Sequence, residues 1–468
     1  MAQAASFTLP PPAAVPVSQR TRLAYVLRHF ALLYEGLPDN LPLGYDATRG
    51  GVVVAERSAG FFSQTKPYPA APNWREWAGQ QVPFFFDPRP TKPLLDLTPG
   101  LVRIQADIIS AAFYLLSGWQ EYFSSARDRH GRFPYSASVQ QQYGFVTRPV
   151  VNYYFDVLRT AVEHLTGQPL RPRAWAAGAA FAAFISHDID LLASAWKAPA
   201  KAALQQGRLW QFGRLCWQHL TRPDAWDNLE AVAAATEHYG ARSTFFMLPE
   251  HRAGADGTPN ADYVFSHELI SRLEKLETAG HHWELHGSIG TATDQQLLTS
   301  NQDKLDYHGR GIRFHYLRWE PRLTPAIVAA IYEFDSTLGF AEHFGFRHSY
   351  CHPFYPFDFE SGRAFPFLEI PLNVMDATLH HPNYLQLAAN QILPALQPLF
   401  AEVEKFGGVV SLLWHNDHFD PANTVTGPTQ FHEIMTDLQA RGAVFLTGRQ
   451  ILDHLPGHRP SGPRPPAC

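Results

Sequence analysis

The sequence predicts an α/β chain. A smaller mixed α/β N-terminal domain precedes a parallel sheet covered by helices. Three observations carry this. From residue 180 onward short apolar strands alternate with helical patterns, the rhythm of repeated βα units. Before residue 170 strand-like and helical stretches are mixed without that rhythm. The composition is 45% hydrophobic and 13% aromatic with only 17% charged residues, which excludes a wholly disordered chain and calls for large buried cores.

The elements follow in chain order. Residues 1–19, with LPPPAAVPVS at 8–17, form a Pro-rich start expected to be unfolded or extended. Residues 20–172 form the N-terminal domain. It holds a helix over 23–34, strand-like GGVVVAE at 50–56 and QVPFFFD at 81–87, a mostly buried helix over 104–123, a loop at 127–138 and a helix over 152–165. No metal spacing, phosphate loop or nucleophile elbow occurs in it, and its role is open. RPRAWAAG at 171–178 marks a boundary, and 178–455 forms the second domain. Its strands are expected at 181–190, 241–248, 281–287, 312–319, 367–376, 407–415 and 443–447. Helices are expected near 226–239, 265–279, 293–307, 324–333, 391–406 and 429–441. Seven strands can close into a barrel or lie in an open doubly wound sheet. No G-x-G-x-x-G follows the first strand, against dinucleotide binding. The tail 456–468, PGHRPSGPRPPAC, sustains neither helix nor central strand.

Composition also narrows the partners. The formal net charge is −5, so the chain as a whole is not a basic nucleic-acid or anionic-membrane binder. Cys216, Cys351 and Cys468 are too few and too far apart for a disulfide framework or zinc knuckle. They read as reduced thiols. The first basic residue is Arg20, so the start lacks the charged region of a secretory leader. The longest strongly apolar stretch, 174–185, is about 12 residues, against roughly 20 for a membrane span. The expectation is a cytoplasmic protein with no integral membrane segment.

In parallel α/β folds chemistry gathers beyond the C-terminal ends of the strands. Asp188 and Asp190 close the first strand, and their i, i+2 spacing points both to one face. Two neighbouring carboxylates repel unless a cation or proton lies between them. A metal with an adjacent general base meets that need; a helix N-cap is the plainer role for Asp190. His286 ends the third strand and, with Asp190, becomes a metal-ligand candidate. His281 and His282 lie at the wrong end of that strand and are expected to be structural or solvent-facing. His415 ends the apolar run VVSLLW and suits a proton donor, with a satisfied core histidine as its plainer role. Arg318 suits a carboxylate partner that orients the base; a surface salt bridge is its plainer role. Trp319, Tyr350, Phe354 and Tyr355 are either sugar-stacking surfaces or core.

These residues carry a resemblance. Residues 180–455 resemble the polysaccharide deacetylase superfamily (the NodB-homology domain, carbohydrate esterase family four). Ser-His-Asp188-Ile-Asp190 is similar to its Asp-x-Asp form of the first motif. Arg242-Ser-Thr-Phe-Phe246 is similar to its second strand, and Gly280-His-His-Trp-Glu-Leu-His286 to its third. YLRWEP around Arg318 is similar to its Arg motif, and Leu413-Trp-His415 to its late Leu-x-His motif. Asp335-Ser-Thr-Leu-Gly-Phe340 with Gly345-Phe-Arg347 resembles a segment of the bacterial exopolysaccharide-linked branch. DRHGRFP and RPVVNYY resemble an uncharacterised N-terminal domain often joined to that branch.

The resemblance implies a distorted (β/α)7-type barrel and a metal-dependent hydrolase that removes N-acetyl groups from a sugar or polysaccharide precursor. Asp188 is then the general base, Asp190 and His286 are ligands to a divalent metal, His415 is the general acid, and Arg318 positions the base; an Asp/His set with an open water position favours Zn2+, and the resemblance leaves room for cobalt, nickel or manganese. The partner is an acetylated carbohydrate. Cytoplasmic placement favours a lipid-linked or nucleotide-linked precursor over a finished wall polymer. The same groups would serve an O-acetyl esterase or another amidase, and a glycan-binding protein without turnover is the reading from another class. One departure stands out. The family's second histidine ligand falls four residues after the first, where this chain has Gly290. His315 on the neighbouring strand, or water, would fill the place. His348 and His352 are weaker substitutes.

Overall fold

The computed structural model describes residues 16–38, 42–45, 50–305 and 309–456. The unfolded start and the tail expected at the two ends lie, over 1–15 and 457–468, outside the described residues. The last residues of the expected start are folded. Val17 is buried, and the Ser18 hydroxyl accepts the Thr21 amide at 3.1 Å to cap the helix Gln19–Leu33.

The N-terminal half is mixed α/β. Strands Leu43–Tyr45, Gly51–Val54, Leu101–Ile104 and Leu95–Thr98 pair in that order. Helices Gln19–Leu33, Ile108–Leu116 and Val150–Thr166 pack together beside them. Residues 104–123, expected as one helix, are a strand end and two helices. The break falls at Gly118, in the left-handed region at φ 71°. A Cβ there would lie 3.1 Å from His348 Nε2, so both conformation and space favour glycine.

The C-terminal half is a curled, all-parallel sheet. We number its strands β1 (Ala182–Ile189), β2 (Thr244–Met247), β3 (His282–Gly287), β4 (Gly311–Phe314), β5 (Phe334–Asp335), β6 (Leu368–Glu369), β7 (Val374–Met375), β8 (Val409–Leu413) and β9 (Val444–Phe445). They pair in the order β6-β5-β4-β3-β2-β1-β8-β7. One edge of β1 is shared: β9 pairs with its start (Val444 with Ala182) and β2 with its end (Thr244 with Ser186). β6 and β7 follow each other in the chain but do not pair, so the barrel stays open at that seam. Residues 367–376, expected as a single strand, are split there because Pro371 has no amide to donate. The strands are buried on both faces, as a helix-covered parallel sheet requires.

Two further departures matter for the site. The strand expected over 312–319 stops at Phe314. It gives way to a turn over His315–Leu317 in which Tyr316 and Leu317 take φ of 59° and 53°. After β1 comes a pair of helices, Lys197–Gln205 and Leu209–Thr221, to which the sequence patterns assigned no bounds.

One apolar cluster runs through both halves, joining Phe30, Val54 and Tyr154 to Ile185, Phe245 and Leu412. The segment between β5 and β6 joins the C-terminal half to the N-terminal half. Arg347 forks onto Glu121 at 2.7 and 2.5 Å, both side chains buried. The Phe346 amide donates to Val146 O at 2.7 Å, and the Tyr355 amide to His29 Nε2 at 3.0 Å. Trp319, Tyr350, Phe354 and Tyr355 are buried within these cores, at 1–6% exposure. They are packing residues and present no face to a sugar.

Candidate metal centre and active site

The rim at the C-terminal ends of the strands collects the polar side chains. On β1, alternation turns Ser186 and Asp188 to one face, and Asp190 follows just past the strand end. No helix begins at Asp190; the first starts at Lys197, so a capping role for Asp190 is excluded. His286 sits in β3, one strand past β2. His315 is turned inward by the bend that ends β4.

Asp190, His286 and His315 offer one ligand atom each, all within 4.8 Å of one another. His286 Nε2 and His315 Nδ1 are 3.4 and 3.3 Å from Asp190 Oδ1, and 3.1 Å from each other. The other nitrogen of each ring is already committed. His286 Nδ1–H donates to Arg313 O at 2.8 Å, and His315 Nε2–H to Pro259 O at 3.3 Å. Such outer bonds fix the tautomer of a ligating histidine. They leave two bare ring nitrogens facing one carboxylate oxygen. Asp190 Oδ1 is buried with no hydrogen-bond partner, which is costly unless a cation sits against it.

The electrostatics agree. Burial lowers both imidazoles, His315 to about 3, so both are neutral near pH 7. Burial, against His286 and His415, lifts Asp190 to about 6. The donor set of two imidazoles and one carboxylate fits a divalent metal.

Asp188 lies beside this triad in a different state. Burial raises its carboxyl, but Arg313, with His286 and His415, outweighs burial and holds it below the ordinary value. Arg313 Nη1 donates to Asp188 Oδ1 at 2.8 Å. The guanidinium is completely buried. It also donates to Ser186 Oγ at 3.0 Å, Ser336 O at 2.7 Å and Ser336 Oγ at 3.0 Å, and lies over the Phe246 ring at 4.3 Å. The expected partner, Arg318, is elsewhere. It donates to Asp256 Oδ2 at 2.6 Å and Thr258 Oγ1 at 3.2 Å on the surface. The physical reason is the early end of β4. Arg313 still lies on the strand and faces inward, whereas Arg318 comes after the turn.

His415 follows β8. Its Nδ1–H donates to Asp376 Oδ1 at 2.8 Å and its amide to Asp376 Oδ2 at 2.6 Å. Burial would depress the imidazole, but the Asp376 carboxylate, then Asp190 and Asp188, raise it well above its ordinary value. Its Nε2 is 3.9 Å from Asp190 Oδ2. These groups open into one cavity of 190 Å³, whose walls also include Tyr316, Tyr384 and Met375. The N-terminal half reaches in as well: Arg129, His130 and Arg132 line it. His130 stacks on Tyr316 at 4.8 Å, and Arg132 Nη1 donates to Tyr316 O at 2.9 Å, bracing the turn that carries His315.

Of the sequence candidates, Asp188, Asp190, His286, His315 and His415 meet here, and Arg318 does not. His348 and His352 lie in the seam between the halves, His352 Nδ1 3.0 Å from Asn152 Nδ2. His281 is buried and accepts the Ser243 amide at 3.0 Å. The sequence reading missed Arg313 and Asp376. Asp376 ends the NVMD run, a carboxylate at a strand end like those it singled out. Arg313 was visible as a lone charge inside the apolar run GIRF.

Comparison with known proteins gives the following. Residues 41–167 match a family of unknown function, DUF7033. No curated protein matches the chain in sequence. A protein from Mycobacterium smegmatis described as a polysaccharide deacetylase aligns over 62% of this chain and 94% of its own, at 16% identity and a TM-score of 0.40. An allantoinase aligns over 61% and 93%, at 12% identity and 0.39. A Bordetella bronchiseptica protein, described as a polysaccharide deacetylase involved in O-antigen biosynthesis, aligns over 59% and 90%, at 12% identity and 0.27. The chain carries a DUF7033 segment in its N-terminal half and is similar in structure, over about 60% of its length, to polysaccharide deacetylases and an allantoinase.

Proposed function

We propose that the protein is a metal-dependent hydrolase that removes an N-acetyl group from a sugar or polysaccharide precursor, with the chemistry in residues 178–455. One observation carries the reading. Two bare imidazole nitrogens and an unpartnered carboxylate oxygen meet beside Asp188, which Arg313 engages, and His415, which Asp376 engages, in a single cavity. Asp190, His286 and His315 would hold the ion, and this donor set with room for further ligands suits zinc. When bound, such an ion supplies Lewis-acid polarisation of an acyl carbonyl and a more acidic water.

The chain's own groups do the rest. Asp188 has Oδ1 engaged by Arg313 and Oδ2 left to take a proton from the attacking water. Arg313 keeps it ionised and fixes its plane. His415, with Nδ1–H tied to Asp376, presents Nε2–H to the leaving amine nitrogen. The N-terminal half supplies one wall of the cavity through Arg129, His130 and Arg132.

The test is elemental analysis of the purified chain after zinc loading, beside Asp190→Ala, together with acetate release from N-acetylated oligosaccharides. One ion per chain, lost in the variant, and acetate release lost in Asp188→Asn are expected. A wild-type chain that holds no ion sinks the reading and leaves a glycan-binding protein. Faster cleavage of a matched O-acetyl ester than of the amide would make the enzyme an esterase.

A further inference from the structure

We propose that the helical pair Lys197–Gln205 and Leu209–Thr221 binds the surface of an anionic lipid bilayer, and that the substrate brought to the neighbouring cavity is a lipid-linked acetylated sugar. The second half rests on the deacetylase reading; the first does not.

The helix Leu209–Thr221 buries none of its residues. Trp210 is 87% exposed, Leu220 81%, Leu209 67% and Trp217 58%. Trp210, Gly213, Trp217 and Leu220 recur at three- and four-residue spacing, so they form one exposed stripe. Leu204 adds to it from the preceding helix. Half of the large exposed apolar side chains among the described residues lie between 204 and 220.

Charge selects the occupant. Between residues 191 and 223 there are Lys197, Lys201, Arg208, Arg214 and Arg222, and no Asp or Glu. All five are exposed, and none forms an ion pair among the described residues. The chain as a whole is net acidic, so this is a local concentration of positive charge. Tryptophan with aliphatic side chains on one face and unpaired cations around it is the composition of a helix lying in a membrane interface. A second copy would bring two cationic surfaces together. No helix among the described residues is long and apolar enough to cross a membrane, so the contact is peripheral.

The pair is fixed to the active-site rim. It begins a few residues after Asp190. Asn416, the neighbour of His415, donates from Nδ2 to Leu191 O and to Trp226 O at 2.8 Å each, pinning both ends. Trp196 stacks on His219 at 4.5 Å, and the Leu192 and Ala193 amides donate to Asp262 at 2.6 and 3.0 Å. Docking would therefore hold the cavity close to the headgroups. Arg129, which lines the cavity with Asp188 and Asp190, donates to His130 Nε2 at 3.0 Å and forms no ion pair among the described residues. It suits the phosphate that joins a sugar to a lipid carrier.

The test is flotation with vesicles of phosphatidylcholine alone and of phosphatidylcholine mixed with phosphatidylglycerol. The full chain should bind the second about tenfold or more tightly, less so in high salt. The variant Trp210→Ser/Trp217→Ser/Leu220→Ser should lose binding, and Arg208→Glu/Arg214→Glu should lose the preference for phosphatidylglycerol. Their cleavage of a soluble acetylated sugar should be unchanged. Wild-type chain that ignores both vesicles overturns the proposal. Binding that survives the triple variant does so too, as does a dimer in sedimentation equilibrium that the triple variant dissociates. For the substrate, N-acetylglucosamine joined through a diphosphate to a polyprenol is offered in phosphatidylglycerol vesicles. The triple variant should cleave it about tenfold or more slowly than wild type. Equal rates overturn the lipid-linked substrate. Vesicle binding is read without turnover, so failure of the deacetylase reading leaves the membrane result standing on its own.

Discussion

Replacing Arg313 should damage catalysis far more than replacing Arg318. Arg313 is completely buried and gives Asp188 Oδ1 a charge-assisted hydrogen bond at 2.8 Å. Such a bond contributes about 1.5–3 kcal/mol. If it acts on the base in the transition state, its loss slows kcat/KM by roughly 10- to 150-fold, at 1.36 kcal/mol per decade. Stability falls as well. Asp188 would be left buried without its cation, and breaking a buried pair costs about 3–5 kcal/mol. Arg318 pairs with Asp256, their side chains 19% and 33% exposed, and surface pairs contribute about 0–1 kcal/mol. Arg313→Met and Arg318→Ala are compared by acetate release and by urea denaturation. Arg313→Lys keeps the charge without the planar fork, so it should fold and still lose most of the rate. An Arg318→Ala defect as large as that of Arg313→Met, or full activity in Arg313→Lys, would refute the assignment.

Three further outcomes are expected. Zinc added to the metal-free chain should raise its thermal midpoint, because an ion that binds only the folded state stabilises by about 2.7 kcal/mol at a hundredfold excess over Kd; Asp190→Ala should show no such rise. His29 is buried, with Nδ1–H donating to Tyr25 O and Nε2 accepting the Tyr355 amide, and burial lowers it from 6.5 to about 4. Its neutral form is the folded one, so its contribution is complete above pH 6.5 and is lost as pH falls toward 4. That is about 3 kcal/mol, read by urea denaturation of wild type against His29→Gln across that window. Burial raises Glu121, but Arg347 overcomes it and holds the carboxyl below its ordinary 4.5. Glu121→Gln should cost about 3–5 kcal/mol at neutral pH, and the gap to wild type should close as pH falls below 4.5.

What was legible in the sequence follows from what periodicity can encode. Runs such as FAAFISHDID and GGVVSLLWH stand out because a strand buried on both faces is apolar throughout, and the polar residues at their ends mark the rim. The turn at His315–Leu317 left no such mark. FHYLRW alternates like a strand, and only packing puts Tyr316 into the left-handed region at φ 59°. That single misjudged end led the sequence reading to place residue 318, where the structure has residue 313, beside Asp188. Asp376 was hidden for a related reason: β6 and β7 are two residues each, too short for a pattern to separate. The helices at 197–221 escaped because their exposed apolar stripe does not face a core. The four aromatic residues offered as sugar platforms show the limit of composition. Nothing in the type of Tyr350 or Phe354 distinguishes a stacking surface from the seam they fill.

The missing histidine ligand at residue 290 has a structural account. Gly290 takes φ +95°, and a Cβ there would lie 3.1 Å from Leu297 Cδ2. It sits in a tight stretch in which Thr291 N–H bonds Ser288 O at 3.1 Å, Thr293 N–H bonds Gly290 O at 3.2 Å and Ile289 N–H bonds Asn260 Oδ1 at 2.9 Å. A side chain at 290 would be strained by about 1–2 kcal/mol from its left-handed backbone alone, and residue 290 is not among those lining the cavity. In the proposed metal site the third ligand would come instead from β4, whose early end brings His315 Nδ1 to within 3.3 Å of Asp190 Oδ1. In this backbone residue 290 does not line the cavity and His315 does, so the two placements can be set against one another. His315→Ala should lose the ion about as fully as Asp190→Ala does. Adding Gly290→His to His315→Ala should not bring it back, whereas Asp, a shorter ligand at the right place, should in His315→Asp retain part of it. Recovery of one ion per chain in the Gly290→His/His315→Ala pair would mean that the loop after β3 moves freely enough to supply the ligand, and that the bend at Tyr316 serves some end other than presenting His315.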